Sequence, residues 1–212
     1  MATKIFHGLE QGTPEWFEAR AGKVTASVMQ ALLVNGKGEH GFGTGSFTLM
    51  DTLIGEAMTG EPAEKWGGNA HTERGHIMEP MARSLYEQHQ GLDEGAVQEC
   101  GFMLNDDGIG YSPDGLVGDD GIIEIKSKLP RILIGVILDG KVPNEHMAQC
   151  QTGLLVSERE YADFIAYWPG MPLFVRRVYR DEAMIANIRQ RVALFYQVME
   201  RRIEMIMNAA RA

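Results

Sequence analysis

Apolar residues recur along the chain with two different periods, and the change of period marks the elements. Pro14 to Val34 reads as a helix entry, a short break and a second helix. Thr13 suits an N-cap and Pro14 the first helical position, while Val28, Met29, Leu32 and Leu33 form the apolar side of the second helix. Phe47 to Met58 predicts a further helix, and Arg74 to Gln90 a long one with Ile77, Met81 and Leu85 as its apolar side. Pro80 fits that helix only in its first turn. The centre switches to short extended runs at Phe102 to Leu104 and Gly110 to Ser112. Leu116-Val117 then leads through Gly118-Asp119-Asp120-Gly121 into Ile122 to Ser127, a hairpin signal. Asn144 to Val156 predicts a helix, and Tyr161 to Trp168 and Leu173 to Tyr179 two more strands. Asp181 to Ala210 is a long amphipathic helix, since Ile185, Ile188, Val192, Phe195, Met199, Ile203 and Ile206 recur every three or four residues. This order predicts an α/β fold: a mixed central β-sheet flanked by helices, in one domain over 1–212 that ends in a long helix at about 181–210.

Composition narrows the class. With 212 residues, 44% hydrophobic and 23% charged, the chain is long enough to bury a core and ordinary enough to be globular. No apolar run approaches the roughly 20 residues of a membrane helix. Two cysteines, Cys100 and Cys150, are too few for a disulfide framework or a four-thiolate cluster, which fits a reducing cytoplasm. The net charge of −9 counts against a simple nucleic-acid binder. The distribution is uneven, however: from Arg176 onward eight arginines face four acids, a net of +4 that leaves −13 for the rest. An acidic body that holds divalent cations can still sit on phosphates, because the ions reverse the local sign. Gly36, Gly38 and Gly41 spell G-x-G-x-x-G, but no strand precedes them and no phosphate-loop lysine follows, so this segment is predicted to be a mobile loop.

The central hairpin carries the sharpest chemistry. It contains Ser112-Pro113-Asp114-Gly115, followed after a short interval by Glu124-Ile125-Lys126. Alternation puts Glu124 and Lys126 on one face and Ile123 and Ile125 on the other. Where Asp114 falls depends on the loop. A three-residue loop at 118–120 sets it opposite Glu124, whereas a two-residue loop sets it opposite Ile125, with the two acids on different faces. Converging carboxylates repel unless they share a proton or hold a cation, and an all-oxygen set suits Mg²⁺ or Mn²⁺. Such an ion lowers the pKa of an attacking water and neutralises a scissile phosphate, and an adjacent ammonium adds to that neutralisation. The six histidines show no zinc spacing.

Four segments, taken in order, resemble one family. They are Gly12-Thr13-Pro14-Glu15-Trp16 running through Arg20-Ala21-Gly22-Lys23-Val24-Thr25-Ala26-Ser27, then Arg74-Gly75 with Glu79-Pro80, then the hairpin residues above, and last Met147-Ala148-Gln149-Cys150-Gln151. Together they resemble the lambda-type phage exonucleases, the viral-recombinase branch of the PD-(D/E)XK nuclease superfamily, with its restriction-endonuclease-like core. The resemblance implies a divalent-metal-dependent 5′→3′ exonuclease on double-stranded DNA ends. Such an enzyme releases 5′-mononucleotides and leaves 3′ single strand for phage recombination. It implies Asp114, Glu124, the carbonyl of Ile125 and Glu79 as metal ligands, with Mg²⁺ or Mn²⁺ as the ion and Lys126 as the catalytic lysine. Arg20, Ser27, Ser112 and Gln151 would bind the terminal 5′-phosphate. A homotrimer, a single-strand annealing partner and a bacterial host cytoplasm are implied as well. Family members place an apolar wedge before the glycine of the second segment, where this chain has Ala70-His71-Thr72-Glu73. The rival readings are a site-specific endonuclease of the same superfamily and a non-catalytic scaffold that binds DNA ends.

Overall fold

The structure is a computed structural model that describes residues 3–63 and 70–211, without the side chains of 70–74 and 76. The wedge stretch Ala70-His71-Thr72-Glu73 therefore lies outside the described side chains.

The chain opens with strand β1 (Thr3–Phe6) and helix α1 (Pro14–Arg20), where the Thr13 side chain caps the helix by accepting from the Trp16 N–H. A 3₁₀ turn (Ala26–Val28) leads into α2 (Met29–Leu33), followed by α3 (Thr44–Thr59) and α4 (Ala70–Gln90). The extended centre comprises β2 (Val97–Gln98), β3 (Phe102–Asn105), β4 (Gly110–Tyr111), β5 (Gly115–Val117) and β6 (Gly121–Ser127). Helices α5 (Pro130–Asp139) and α6 (Asn144–Ser157) carry the chain to β7 (Tyr161–Tyr167), which runs parallel to β6, and β8 (Phe174–Tyr179) follows antiparallel. Helix α7 (Glu182–Ala209) closes the fold, capped by the Asp181 side chain. The expected mixed sheet is present, with strand order β2-β5-β6-β7-β8, and a separate antiparallel sheet is built from β1-β3-β4.

The five-stranded sheet separates two apolar clusters. Ile122, Ala162, Phe164 and Ala166 face α6, α2 and α7, while Ile123, Ile125, Ile165 and Tyr167 face Ala82 and Tyr86 of α4. Every second residue of β6 thus goes to the opposite layer, as the strand period requires.

Three expectations are corrected. Pro80 sits deep inside α4 rather than in its first turn, which costs the helix one internal hydrogen bond. The stripe Ile77, Met81 and Leu85 does not face the core. These residues are 66%, 52% and 38% exposed, and Ala82 and Tyr86 form the buried side, with Met78 packed against them. The Gly-rich segment is tied down rather than loose: Asn35 bridges Phe42, Gly36 donates to the Gly41 carbonyl at 2.8 Å, and Arg191 donates to the carbonyls of Leu32 and His40 at 2.8 and 2.6 Å. Arg191 spends its charge inside the fold, with its guanidinium carbon 4.1 Å from the centroid of the Phe42 ring.

Candidate active site

The hairpin takes the three-residue loop. Gly115 pairs with Ile123, Leu116 with Ile122 and Val117 with Gly121, so residues 118–120 form the turn and Asp114 continues the register toward Glu124. Arg159 closes the turn by donating to the carbonyls of Gly118 and Gly121, each at 2.7 Å. Because β5 begins at Gly115, Asp114 stands just off its end, and its Oδ2 accepts the Ile125 N–H at 2.5 Å. The N–H and C=O of one strand residue point to the same side, so the Ile125 carbonyl is directed toward Asp114 as well.

Glu124 is 1% exposed and fully engaged at this point. Lys126 Nζ donates to its Oε1 at 2.6 Å, and the Tyr111 hydroxyl donates to its Oε2 at 3.3 Å. Burial and the neighbouring Glu124 push the Asp114 carboxyl well above the ordinary carboxylate range, with Glu79 adding to the rise and Lys126 opposing it. Burial alone would lower the Lys126 ammonium, but Glu124 and Asp114 more than offset this and hold it above the ordinary lysine value. Lys126 is therefore a cation at neutral pH, suited to meet a phosphate oxygen rather than to accept a proton.

Glu79 lies in the middle of α4, not in its first turn, and lines a cavity of about 480 Å³ together with Asp114, Pro113, Gln11 and Arg83. Among the described residues no three His, Cys, Asp or Glu side chains are gathered closely enough to hold a metal ion by themselves. The donor set is instead open: two mutually repelling carboxylates, a carbonyl turned toward them and a third acid across the cavity, against a single ammonium. That surplus of negative charge on oxygen ligands fits a divalent cation that retains several waters.

The second group of expected residues divides. The Arg20 guanidinium stacks on the Trp16 ring at 4.0 Å, and its Nη1 lies 3.4 Å from Ser112 Oγ. Arg20, Lys23, Thr25 and Ser27 line a cavity of about 140 Å³, in which the Ser27 and Thr25 hydroxyls are 3.1 Å apart. Gln151 is not with them. It is 2% exposed, donates to the Tyr179 carbonyl and accepts from the Asp181 N–H, each at 2.8 Å, so it fastens the β8–α7 junction. Gln149 is half-buried.

Sequence reasoning passed over Tyr111, although it immediately precedes the Ser112-Pro113-Asp114 run on a strand. Trp16, named above only as part of the first motif segment, sends its indole N–H to Ser112 Oγ at 2.9 Å. Three arginines of α7 are turned toward acids of the same chain: Arg189 to Asp107 at 3.3 Å, Arg202 to Asp51 at 2.5 Å, and Arg201 to Glu39.

Residues 15–160 match the model of the YqaJ-like viral recombinase domain. The chain belongs to that family. This YqaJ-like domain is similar to the alkaline exonuclease LHK-Exo from Laribacter hongkongensis, with 35% identity and a TM-score of 0.81 over 93% of this chain and 98% of that one. A structure of LHK-Exo in complex with dAMP superposes with a TM-score of 0.82 at the same identity and coverage. A phage-related exonuclease from Haemophilus somnus 129PT shares the fold at 16% identity, with a TM-score of 0.66 over 87% of this chain and 96% of that one. Among curated proteins no sequence matches.

Proposed function

We propose that the YqaJ-like domain is a divalent-metal-dependent 5′→3′ exonuclease that degrades one strand from double-stranded DNA ends, releases 5′-mononucleotides and leaves 3′ single strand for phage-type recombination. Family membership and the likeness to LHK-Exo make it an exodeoxyribonuclease. The observation that carries the finer reading is the convergence of Asp114, Glu124 and Lys126 on one hairpin, two residues from the Ser112 that Arg20 approaches. The dAMP held by LHK-Exo is a deoxymononucleotide, the product class this reading requires.

Asp114, Glu124, the Ile125 carbonyl and Glu79 would hold Mg²⁺ or Mn²⁺, which supplies charge neutralisation and a more acidic water. Lys126 holds its proton beside Glu124 and offers it as a hydrogen bond to the phosphate under attack. Tyr111 keeps the Glu124 carboxylate from turning into the core. Arg20, with Ser27 and Ser112, anchors the terminal 5′-phosphate through charge-assisted hydrogen bonds. The exposed apolar stripe Ile77, Met81 and Leu85 supports packing of further subunits, in keeping with a homotrimer. A single-strand annealing protein that takes up the 3′ strand, in the cytoplasm of a bacterial host, completes the proposal.

The test is digestion of linear and covalently closed duplex with and without Mg²⁺, read by strand polarity. Linear duplex should lose its 5′-ended strand as mononucleotides only with the ion present, and closed circles should survive. Cleavage of circles would favour the endonuclease reading, and end binding without any product would favour the scaffold. On linear duplex, a 5′-phosphate should be preferred over a 5′-hydroxyl, and Arg20→Ala should abolish that preference. Equal rates on both ends before and after the substitution would remove the anchor role from Arg20.

A further inference from the structure

We infer that Gln11 and Trp16 are positioning residues that brace the Ser112–Asp114 segment and so set the one-nucleotide spacing between the end anchor and the reacting acids. The inference rests on the roles proposed above for Arg20 and Asp114, neither of which assigns a part to Gln11.

Two side chains from the N-terminal segment cross-link the same pair of chain segments. The Gln11 amide Nε2 donates to the Cys100 carbonyl at 3.0 Å and to the Pro113 carbonyl at 2.9 Å. The Trp16 indole Nε1 donates to the Gly101 carbonyl at 3.1 Å and to Ser112 Oγ at 2.9 Å. Residues 100–101 and 112–113 are thus joined by two adjacent rungs, one from the turn that leads into α1 and one from the first turn of α1 itself. An amide NH₂ has two hydrogens, and Gln11 has two acceptors for them. The turn itself is held: Thr13 Oγ1 donates to the Glu10 carbonyl at 2.7 Å, and Gly12 takes a positive φ of 85°. Its approach is close enough that a Cβ on Gly101 would come within 1.7 Å of the Leu9 carbonyl oxygen, so only glycine fits there.

The consequence falls on Asp114. Its side chain is fixed on one side by the Ile125 N–H, and its backbone is fixed on the other by Gln11 through the preceding carbonyl. Ser112, two residues earlier, is fixed by Trp16, whose ring also carries Arg20. Two residues of extended chain span about 7 Å, a length of the same order as one phosphate-to-phosphate step along a strand. A segment of that length held at both ends acts as a ruler. A terminal phosphate on Arg20 and Ser112 then brings the next phosphodiester, and no other, to Asp114.

Gln11→Met keeps the volume and removes both donors, and Trp16→Phe keeps a ring under Arg20 and removes the indole N–H. Four readouts on the full-length protein separate a brace from a merely structural role. Gln11→Met should raise the Mg²⁺ concentration for half-maximal activity at least about fivefold and should add dinucleotides to the products, with a melting temperature close to that of the unsubstituted protein. Its Ile125 amide should exchange with solvent at least about tenfold faster, while amides of β8 stay protected. Trp16→Phe should weaken the preference for 5′-phosphorylated ends more than it changes the Mg²⁺ dependence. Gln11→Asn, too short to reach both carbonyls, repeats the test if the Met variant does not fold. Unchanged product length, Mg²⁺ dependence and Ile125 exchange in a folded variant would overturn the brace. If the unsubstituted protein releases no nucleotide with Mg²⁺, the failure belongs to the proposed function, and Ile125 exchange alone then decides the brace.

Discussion

Asp114 is held in a state the isolated fold disfavours. Burial and the nearby Glu124 raise its pKa well above the ordinary carboxylate value of 3.8. A group whose folded-state pKa is raised binds its proton more tightly when folded. Its contribution to stability is therefore present at low pH and is lost as the pH rises through the raised value. With no cation bound, ionising that carboxyl destabilises the fold. Asp114→Asn removes the charge but keeps an oxygen for the Ile125 N–H. It should melt about 2–4 °C higher than the unsubstituted protein in chelator at pH 8, the shift expected for on the order of 1 kcal/mol in a domain of this size. At pH 5 that gain should shrink. The same variant should lose at least about 100-fold in Mg²⁺-dependent nucleotide release, because a ligand and its charge are gone. His146 behaves in the opposite sense. Burial, with Lys128 and Lys126 beside it, lowers its pKa to about 4. Its contribution is present above the unfolded value near 6.5 and is lost as the pH falls toward 4. His146→Gln should flatten the acid limb of a denaturant-midpoint profile between those pH values. An unchanged limb would mean that the ring, stacked on Phe164 at 5.3 Å, titrates freely.

Helix α4 is placed by a polar contact as much as by an apolar one. Tyr86 donates its hydroxyl to Asp163 Oδ2 at 2.7 Å, and Arg177 grips the same carboxylate at 2.9 and 2.7 Å. Glu79 and Tyr86 are seven residues apart, two turns along one face, so this contact also governs where Glu79 meets the cavity. The two charged partners are not equivalent. The Asp163 side chain is 1% exposed, and that of Arg177 is 38% exposed. Arg177→Met strands a buried carboxylate and should cost about 3–5 kcal/mol in chemical denaturation. Asp163→Asn leaves an arginine that can turn to water and should cost less, about 1–3 kcal/mol. The reverse order would show that Arg177 contributes little. The same contact explains what was legible in the sequence. Most helices and strands, the Thr13 cap and the helix at 182–209 followed from period and turn chemistry. The Ile77, Met81, Leu85 stripe was legible too, but the buried side of α4 was chosen by Tyr86 and Asp163, which are 77 residues apart. Two loop lengths suited the hairpin, and the longer one was selected by contacts from Arg159, well outside it. Gln149 and Gln151 are two residues apart and so face different sides of one helix, and only tertiary packing reveals that Gln151 is drawn to the β8–α7 junction. That Glu124 and Lys126 share a face was legible because strand alternation is local, whereas the side taken by Asp114 waited on the loop length.

Charge decides how the whole molecule meets DNA. A net of −9 opposes the approach of a polyanion, and the four arginines of α7 are engaged with acids or carbonyls of the same chain. The cations at the site are few: Arg20 and Lys23 in the cavity proposed as the anchor, Lys126 beside the acids, and Arg83, which is paired with Glu99. Affinity for an end should therefore come from a divalent ion and about three positive side chains rather than from a broad basic face. Three phosphate contacts give a slope of about −2 to −3 in log affinity against log salt. The measurement is end binding by a Glu124→Gln variant to a 5′-phosphorylated duplex, at fixed Mg²⁺, from about 50 to 200 mM NaCl, with affinity expressed per protomer. A slope steeper than about −5 would mean that many more cations reach the backbone. The arginines of α7 would then have to leave Asp107, Asp51 and Glu39 on binding. A shallow slope that disappears in Arg20→Ala would instead assign most of the phosphate contact to the anchor, as an enzyme that acts on ends rather than on duplex interiors requires.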